Sequence, residues 1–406
     1  MFVTVAGMER SLRSARVANF VYFVLCGTLM GTWVVHIPAI EERAGISHAT
    51  LGSLLVLLGL GAFTGMQVAG RLADRLGARV VLPVAGVLSS TAAVLPGLPR
   101  DPWMLAGALL VFGFCNGCLD VSMNAHAVHV EKAYNRPVMS AFHAMFSVGG
   151  VIASLVGAGA ASAGMSPAAG MGAVGAVGIV TALASARGLL PTAPPSAATA
   201  TAEGEEAPAG KRRSAPGRIW VLAALASMVM LSEGAANDWS ALHLKDILGA
   251  PASTAAVGYG TYAAAMTIGR LLADRVSGRF GPMAVLRYGA VTAAVGITIV
   301  AVSPWIWAAF AGWALFGLGL SGCVPQLFSA AGRADSSAAG ANVSRVAGLG
   351  YLGMLSGPAV IGWLTHLMAL NHALLLLTLL CAIAAAAAGV LRTGSDRTRE
   401  VARSSH

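Results

Sequence analysis

The sequence predicts an all-α membrane protein with 12 transmembrane helices arranged in two pseudo-symmetric six-helix bundles. Of its 406 residues, 56% are apolar and only 11% are charged, whereas about a quarter of the residues in a soluble domain are charged. Apolar runs of roughly 20 residues, the length that spans a bilayer as a helix, alternate with short charged clusters. An internal repeat divides these runs into two sets of six.

The apolar runs define the predicted membrane spans. The first run follows three arginines, as a signal peptide would, but it lacks a small-residue cleavage site, so we expect it to be retained. The spans are predicted at 15–36, 49–69, 80–98, 102–129, 138–161, 167–190, 218–241, 254–273, 283–302, 305–330, 340–365 and 370–391.

Basic residues are distributed unevenly between the two ends of these spans. With the N-terminus in the cytoplasm, 23 of the 26 Lys and Arg residues, Arg270 and Arg345 among them, fall on the cytoplasmic side; Arg43, Arg100 and Lys245 fall outside. This positive-inside bias predicts a multi-pass protein of the bacterial cytoplasmic (inner or plasma) membrane with both termini in the cytoplasm. The net charge of +9 forms no continuous basic stripe, which argues against nucleic acid as a partner.

A Pro-, Ala- and charge-rich stretch separates the two sets of spans. We expect 191–217 to be a flexible cytoplasmic linker. The predicted units are therefore an N-terminal six-helix bundle at 1–190, a C-terminal six-helix bundle at 218–391 and a cytoplasmic tail at 392–406.

Short sequence motifs recur at equivalent places in the two sets. Leu72-Ala73-Asp74-Arg75 returns 200 residues later as Leu272-Ala273-Asp274-Arg275, and in both cases a glycine and an arginine stand shortly before it. Pro102-Trp103 likewise returns as Pro304-Trp305. A parallel six-helix repeat of this kind is typical of one class of secondary transporters.

The segment from Gly70 to Arg79 resembles the signature loop between helices two and three of the major facilitator superfamily, apart from Ala78. The resemblance implies a gating loop, with a degenerate copy in the second half. The gating residues that it implies are Gly70, Asp74, Arg75, Gly77, Arg79, Gly269, Asp274 and Arg275.

Three further stretches, 120–131, 136–150 and 233–240, resemble the YbjJ-like bacterial branch related to fucose-permease-type sugar transporters. The resemblance implies a major facilitator fold that acts as a monomer in the lipid bilayer. It also implies transport of a small-molecule substrate.

Candidate binding residues stand on one stripe of the fourth span. Asn116, Asp120 and Asn124 follow at intervals of four residues and therefore share a helix face. An ionisable group within a span costs about 2.5–3.5 kcal/mol on insertion and marks a solute or ion path by default. We expect Asp120 to face a central cavity; a buried structural carboxylate is the alternative.

The seventh span supplies a second group of candidates. Glu233, Asn237 and Ser240 share a face, with Asp238 and Trp239 beside them. Glu233 is the deeper acid and the better candidate for the proton carrier, with Asp120 as the alternative. Trp239 is either a functional side chain or an interfacial anchor near the outer end.

Other polar residues within spans complete the candidate set. Arg345 is either a cytoplasmic-end charge or a cavity cation, and Asn342 precedes it by one turn. Gln326 could hydrogen-bond a polar solute, with a helix-packing polar group as the alternative. His126 and His143 could relay protons, because histidine changes its charge near neutral pH.

These observations predict a secondary active transporter that works by alternating access and is coupled to protons. No phosphate-binding loop is present to drive transport with ATP, and we expect no cofactor, no metal and no enzymatic activity. The preferred substrate is a sugar-like or other small polar compound taken up by symport. The alternatives are efflux of amphipathic drugs by proton antiport and, from another class, a non-transporting sensor or an intramembrane enzyme.

Overall fold

A computed structural model describes residues 5–134, 138–190, 217–334 and 339–391. Within these ranges the elements are helices joined by short turns, with no β-strand. Most of the predicted linker and the whole predicted tail, 191–216 and 392–406, lie outside the described residues.

The first bundle consists of six long helices. They are α1 Val5–Ala44, α2 His48–Leu76, α3 Ala78–Ala92, α4 Pro102–Tyr134, α5 Met139–Ser162 and α6 Pro167–Ala186. Serine side chains cap two of them: Ser47 Oγ accepts from the Thr50 amide at the start of α2, and Ser166 Oγ accepts from the Ala169 amide at the start of α6.

The second bundle repeats this order with more interruptions. Its helices are α7 Gly217–Leu242, α8 Ala252–Phe280, α9 Pro282–Val302, α10 Ile306–Leu320, α11 Cys323–Ala334, α12 Ala339–Leu364, α13 Leu370–Ala373 and α14 Leu375–Ala387. A π-helical segment, His243–Ile247, extends α7. The pair α10 and α11 forms the fourth span of this bundle, and the pair α13 and α14 forms the sixth.

Each of the twelve predicted spans coincides with helical structure, but only eleven of the described segments are long and apolar enough to cross a membrane by composition alone. The exception is α8, which carries Arg270 near its middle and many small polar residues. Because α8 packs against α5 of the other bundle, it is shielded from lipid over much of its length. Shielding from lipid relaxes the demand for hydrophobicity that a lipid-facing helix must meet.

Glycines show how similarly the two bundles are built. Where α1 packs on α5, a Cβ on Gly27 would lie 1.9 Å from the Phe146 carbonyl oxygen, and one on Gly149 would lie 2.2 Å from that of Val24. Where α7 packs on α12, Gly234 and Gly357 make the same approach at 2.1 and 2.2 Å. Small residues that let helix backbones approach are a common basis of helix packing in lipid, and here they recur at equivalent crossings.

The two bundles meet along four pairs of helices: α5 with α8, α2 with α12, α1 with α7, and α1 with α8. Ser154 Oγ donates a 2.7 Å hydrogen bond to the Ala256 carbonyl, and Trp33 Nε1 donates to Asp238 Oδ1 at 3.3 Å. Gly52 of α2 lies against Gly362 of α12. These contacts join the end of α1 and the start of α2 to the second bundle, so the molecule is closed at this end.

Candidate functional site

The predicted polar stripe of α4 is present as a group of neighbouring side chains. Asn124 Nδ2 donates to the Asp120 backbone carbonyl at 2.9 Å and to Asp120 Oδ1 at 3.3 Å. Cys26 Sγ of α1 points to Asn116 Oδ1 at 3.7 Å. All three α4 residues are half-buried. Within the described ranges no basic side chain forms an ion pair with Asp120.

An ion pair near the middle of the second bundle faces this stripe. Arg270 Nη2 of α8 donates to Glu233 Oε1 of α7 at 2.6 Å, and Arg270 Nη1 donates to Ser147 Oγ of α5 at 2.9 Å. The Arg270 and Glu233 side chains are 23% and 14% exposed. The fork of one guanidinium therefore holds a carboxylate of its own bundle and a hydroxyl of the other.

Tyr351 and His143 complete this group of side chains. We call the group the central cluster; its members are Asp120, Ser147, Glu233, Arg270, Tyr351 and His143. Tyr351 of α12 lies within electrostatic range of both acids and of Arg270, although it is 45% exposed. His143 of α5 also lies near Arg270. These side chains come from both bundles, and among them Tyr351 is the exposed one.

The position of Arg270 corrects the prediction that it is a cytoplasmic-side charge. Taking the Leu-Ala-Asp-Arg repeat as the reference, Arg270 corresponds to Gly70, not to Arg71, because one extra leucine precedes the second copy. One residue rotates a helical position by about 100°. Arg71 is exposed, whereas Arg270 turns toward the central cluster. This extra leucine is the feature of the sequence from which the different orientation of Arg270 could have been predicted.

Several predicted site residues lie away from the central cluster. His126 uses both ring nitrogens within the first bundle: Nδ1 lies 3.1 Å from Asn19 Oδ1, and Nε2 accepts from the Leu190 amide at 3.1 Å. Gln326 Oε1 accepts from Ser277 Oγ at 3.0 Å, joining α11 to α8. Both histidine and glutamine therefore hold helices together in this structure.

Arg345 lies near the start of α12 with an exposed side chain. Its Nη1 donates to Asn342 Oδ1 at 3.0 Å, whereas the buried Asn342 Nδ2 has no partner among the described residues. These two residues therefore form a pair of their own on α12.

Asp238 and Trp239 lie at the contact between bundles. Trp239 is fully buried, and its Nε1 donates to the Pro358 carbonyl at 3.0 Å, so the alternative of a lipid-interface anchor is wrong. Asp238 is buried and accepts the Trp33 hydrogen bond from the first bundle. Asn237, one residue earlier, is half-buried.

The end at which the bundles touch carries a charged group that the sequence did not single out. We call Glu41, Glu42, His48, Lys245 and Asp246 the closed mouth. Lys245 Nζ donates to Glu42 Oε2 at 2.6 Å and to the Pro38 carbonyl at 3.2 Å. His48 Nδ1 lies 2.6 Å from Glu41 Oε1, and its Nε2 lies 3.6 Å from Asp246 Oδ2.

The predicted gating loops are tight turns at equivalent places. Gly77 between α2 and α3 has φ 84°, and Gly281 between α8 and α9 has φ 82°, a backbone conformation that favours glycine. Arg75, Arg79 and Arg275 are exposed. Asp74 and Asp274 lie in α2 and α8, but their side chains are outside the described part of the chain.

The glycines that precede these loops differ between the bundles. A Cβ on Gly269 would lie 2.1 Å from Ser321 Oγ, whereas no atom of the described residues lies within 4 Å of one on Gly70. Only the second copy is therefore closely packed, against the break between α10 and α11.

Comparison with known proteins identifies the family. A model of the Major Facilitator Superfamily matches residues 18–334. The chain belongs to the Major Facilitator Superfamily. An uncharacterized MFS-type transporter of Yersinia pestis is 37% identical over 93% of this chain and 96% of its own length. An uncharacterized transporter of Sinorhizobium fredii is 36% identical over 91% and 96%.

Solved structures support the same fold. The nucleoside transporter NupG, in the crystal structure of a point mutant, superposes with a TM-score of 0.72 over 93% of this facilitator and 100% of that chain, at 14% identity. Membership of this superfamily makes the protein a secondary transporter of a small solute and not an enzyme.

Proposed function

We propose that this facilitator takes up a small polar, sugar-like solute together with protons. The observation that carries the proposal is the central cluster, in which both bundles present acids, hydroxyls and a guanidinium to one space. A cavity for amphipathic drugs would be lined mainly by apolar and aromatic side chains. The polar lining therefore favours uptake of a polar solute over efflux of drugs.

Asp120 is the proposed proton carrier. Glu233 already has a cationic partner in Arg270 at 2.6 Å, and such a partner favours the ionised form of a carboxylate. The described contacts of Asp120 are instead with the amide of Asn124. A carboxylate at membrane depth that has no cationic partner is costly when it is ionised, and protonation removes that cost.

The amides beside Asp120 are the proposed solute ligands. Asn116 and Asn124 stand one turn to either side of Asp120, and Asn237 lies one turn beyond Glu233 on the facing helix α7. Amides both donate and accept hydrogen bonds, as a hydroxyl-rich solute requires.

The proposed mechanism is rocking of the two bundles, 1–190 and 218–391, about the central cluster. The closed mouth faces away from the cytoplasm, and the exposed arginines of the gating loops face the cytoplasm, following the positive-inside bias. In this proposal the protein is a monomer in the bacterial inner membrane with both termini in the cytoplasm.

Proton movement in lightly buffered proteoliposomes tests the proposal. The external pH is recorded while sugars, sugar acids, nucleosides and drugs are added in turn to wild type, Asp120→Asn and Glu233→Gln. We expect a polar solute to evoke proton uptake in wild type and none in Asp120→Asn. Counterflow of labelled solute should persist in Asp120→Asn, because exchange requires no net proton transfer. Asp101→Asn, which alters an acid at the start of α4 outside both the central cluster and the closed mouth, is the control and should behave like wild type.

Two results would contradict this assignment. If labelled solute crosses the membrane in wild type without proton movement, transport is not coupled to protons. If only drugs evoke proton release, the protein exports drugs by proton antiport and does not take up a polar solute.

A further inference from the structure

The closed mouth contains a histidine placed between two carboxylates from different parts of the chain. Glu41 lies near the end of α1, His48 begins α2, and Asp246 lies in the π-helical segment after α7. One ligand atom from each of the three lies within 4.8 Å of the others. They line a surface pocket of about 550 Å³, so an ion could reach them from the aqueous side.

The distances within this group resemble those of a metal centre. His48 Nε2 and Asp246 Oδ2 are 3.6 Å apart, which is long for a hydrogen bond. Two ligands bound to one zinc ion at about 2.0–2.2 Å in tetrahedral geometry are separated by roughly 3.4 Å. The gap between these two atoms therefore matches an ion held between them.

Glu41 supplies the partner that a zinc-binding histidine usually has. A metal-bound histidine typically donates its other ring N–H to a carboxylate, which fixes the tautomer and the ring orientation. Glu41 Oε1 lies 2.6 Å from His48 Nδ1, so a proton on Nδ1 leaves the Nε2 lone pair directed at Asp246. The ring is also held edge-on against Trp239, with centroids 5.8 Å apart.

The local charge favours a divalent cation. The ionisable groups that line the pocket are Glu41, Glu42, Asp246, Lys245 and His48. With neutral histidine these sum to two negative charges, which one Zn²⁺ balances. Lys245 opposes a second cation, and its ammonium is bound to Glu42 and to the Pro38 carbonyl.

We propose that the closed mouth binds one Zn²⁺ between His48 Nε2 and Asp246, with Glu41 orienting the imidazole and water completing the coordination. His48 belongs to the first bundle and Asp246 to the second, so the site is complete only while the bundles touch at this end. A ligand that binds one conformation alone stabilises that conformation. Zinc therefore holds the mouth closed and inhibits transport.

Calorimetric titration of the untagged full chain with ZnCl₂ in detergent micelles tests the binding. We expect one Zn²⁺ per chain, and an affinity at least tenfold weaker in both His48→Ala and Asp246→Asn. Glu41→Gln should weaken binding by about 10–100-fold, as loss of an orienting carboxylate does. His48→Cys, which keeps a zinc-binding atom, should retain binding. Asp101→Asn, which alters an acid at the start of α4 that does not line this pocket, should change the affinity less than threefold.

An electron-spin distance measurement tests the effect on conformation. Spin labels are placed at Arg43→Cys in α1 and Ala252→Cys at the start of α8, because the five native cysteines are buried. Zinc should shift the distances toward the short, closed population in the wild-type background and leave them unchanged with His48→Ala. The proposal is wrong if His48→Ala and Asp246→Asn both bind zinc like wild type, if the binding is lost instead on changing the exposed His366, or if zinc lengthens the distances.

Discussion

The Arg270–Glu233 pair offers the sharpest test of the central cluster. Arg270→Met removes the guanidinium and leaves Glu233 without its cation, in a position where the carboxylate is only 14% exposed. Removing one partner of a buried pair costs about 3–5 kcal/mol. Because both side chains retain some contact with solvent, we expect a loss of about 3 kcal/mol in the free energy of unfolding.

Glu233→Gln should be milder, because the amide oxygen can still accept from Arg270. The loss is the difference between a charge-assisted hydrogen bond of about 1.5–3 kcal/mol and a neutral one of about 1 kcal/mol. In the double variant neither charge is left unpaired. The combined loss should therefore be smaller than the sum of the single losses by about 2 kcal/mol, within the range for residues in contact.

This double-mutant cycle of Arg270→Met and Glu233→Gln is measured by reversible unfolding of the purified protein in detergent micelles with increasing sodium dodecyl sulfate. Arg270→Lys is the matched control: it keeps the charge, but its single nitrogen cannot reproduce the guanidinium fork that holds Glu233 and Ser147. We expect it to recover part of the stability lost in Arg270→Met. Additivity of the single losses within about 0.5 kcal/mol would show that the two charges do not interact and would refute the cluster.

Two further predictions address packing and structural polar groups. Gly149→Val should prevent correct folding or strongly lower thermal stability, because its Cβ would overlap the Val24 carbonyl oxygen at 2.2 Å. Gly159→Val on the same helix should be tolerated in the same thermal assay, because no described atom lies within 4 Å of a Cβ there. His126→Ala should lose about 2 kcal/mol in unfolding measurements, since it removes hydrogen bonds to Asn19 and Leu190, but should leave the number of protons moved per solute unchanged. A changed proton stoichiometry would place His126 on the proton path.

The helices could be predicted well because each apolar run had to be long enough to cross a bilayer. The ends were less predictable. For example, α1 continues through Pro38 to Ala44, roughly two turns beyond the predicted span. Its last turns pack against the second bundle, and a hydropathy pattern carries no information about such a contact. The break between α10 and α11 at Ser321 and Gly322 was missed for a similar reason, since apolar residues lie on both sides of it.

Only the part of the candidate site that lies on a single helix could be predicted from the sequence. The α4 stripe was predicted because helical spacing alone puts Asn116, Asp120 and Asn124 on one face. The ion pair and the closed mouth depend on contacts between helices far apart in sequence. Arg270 was assigned to the cytoplasmic side because arginine near the end of a span usually belongs there. Lys245 was counted as an outer-side charge without a partner.

Opening the mouth requires breaking polar contacts between the bundles, and the structure indicates which ones. The Arg270–Glu233 pair lies within the second bundle, so rocking leaves it intact. The contacts that must separate include five hydrogen bonds between the bundles: Arg270 to Ser147, Trp33 to Asp238, Ser154 to the Ala256 carbonyl, and Lys245 to both the Pro38 carbonyl and Glu42.

At about 0.5–1.5 kcal/mol each, these five hydrogen bonds contribute roughly 2–8 kcal/mol to the closed state. A solute that binds only the open state, at a concentration about 100 times its dissociation constant, stabilises that state by about 2.7 kcal/mol. This value lies in the lower part of that range. Solute binding therefore offsets the polar contacts between the bundles only where each contact is near the weak end of its range.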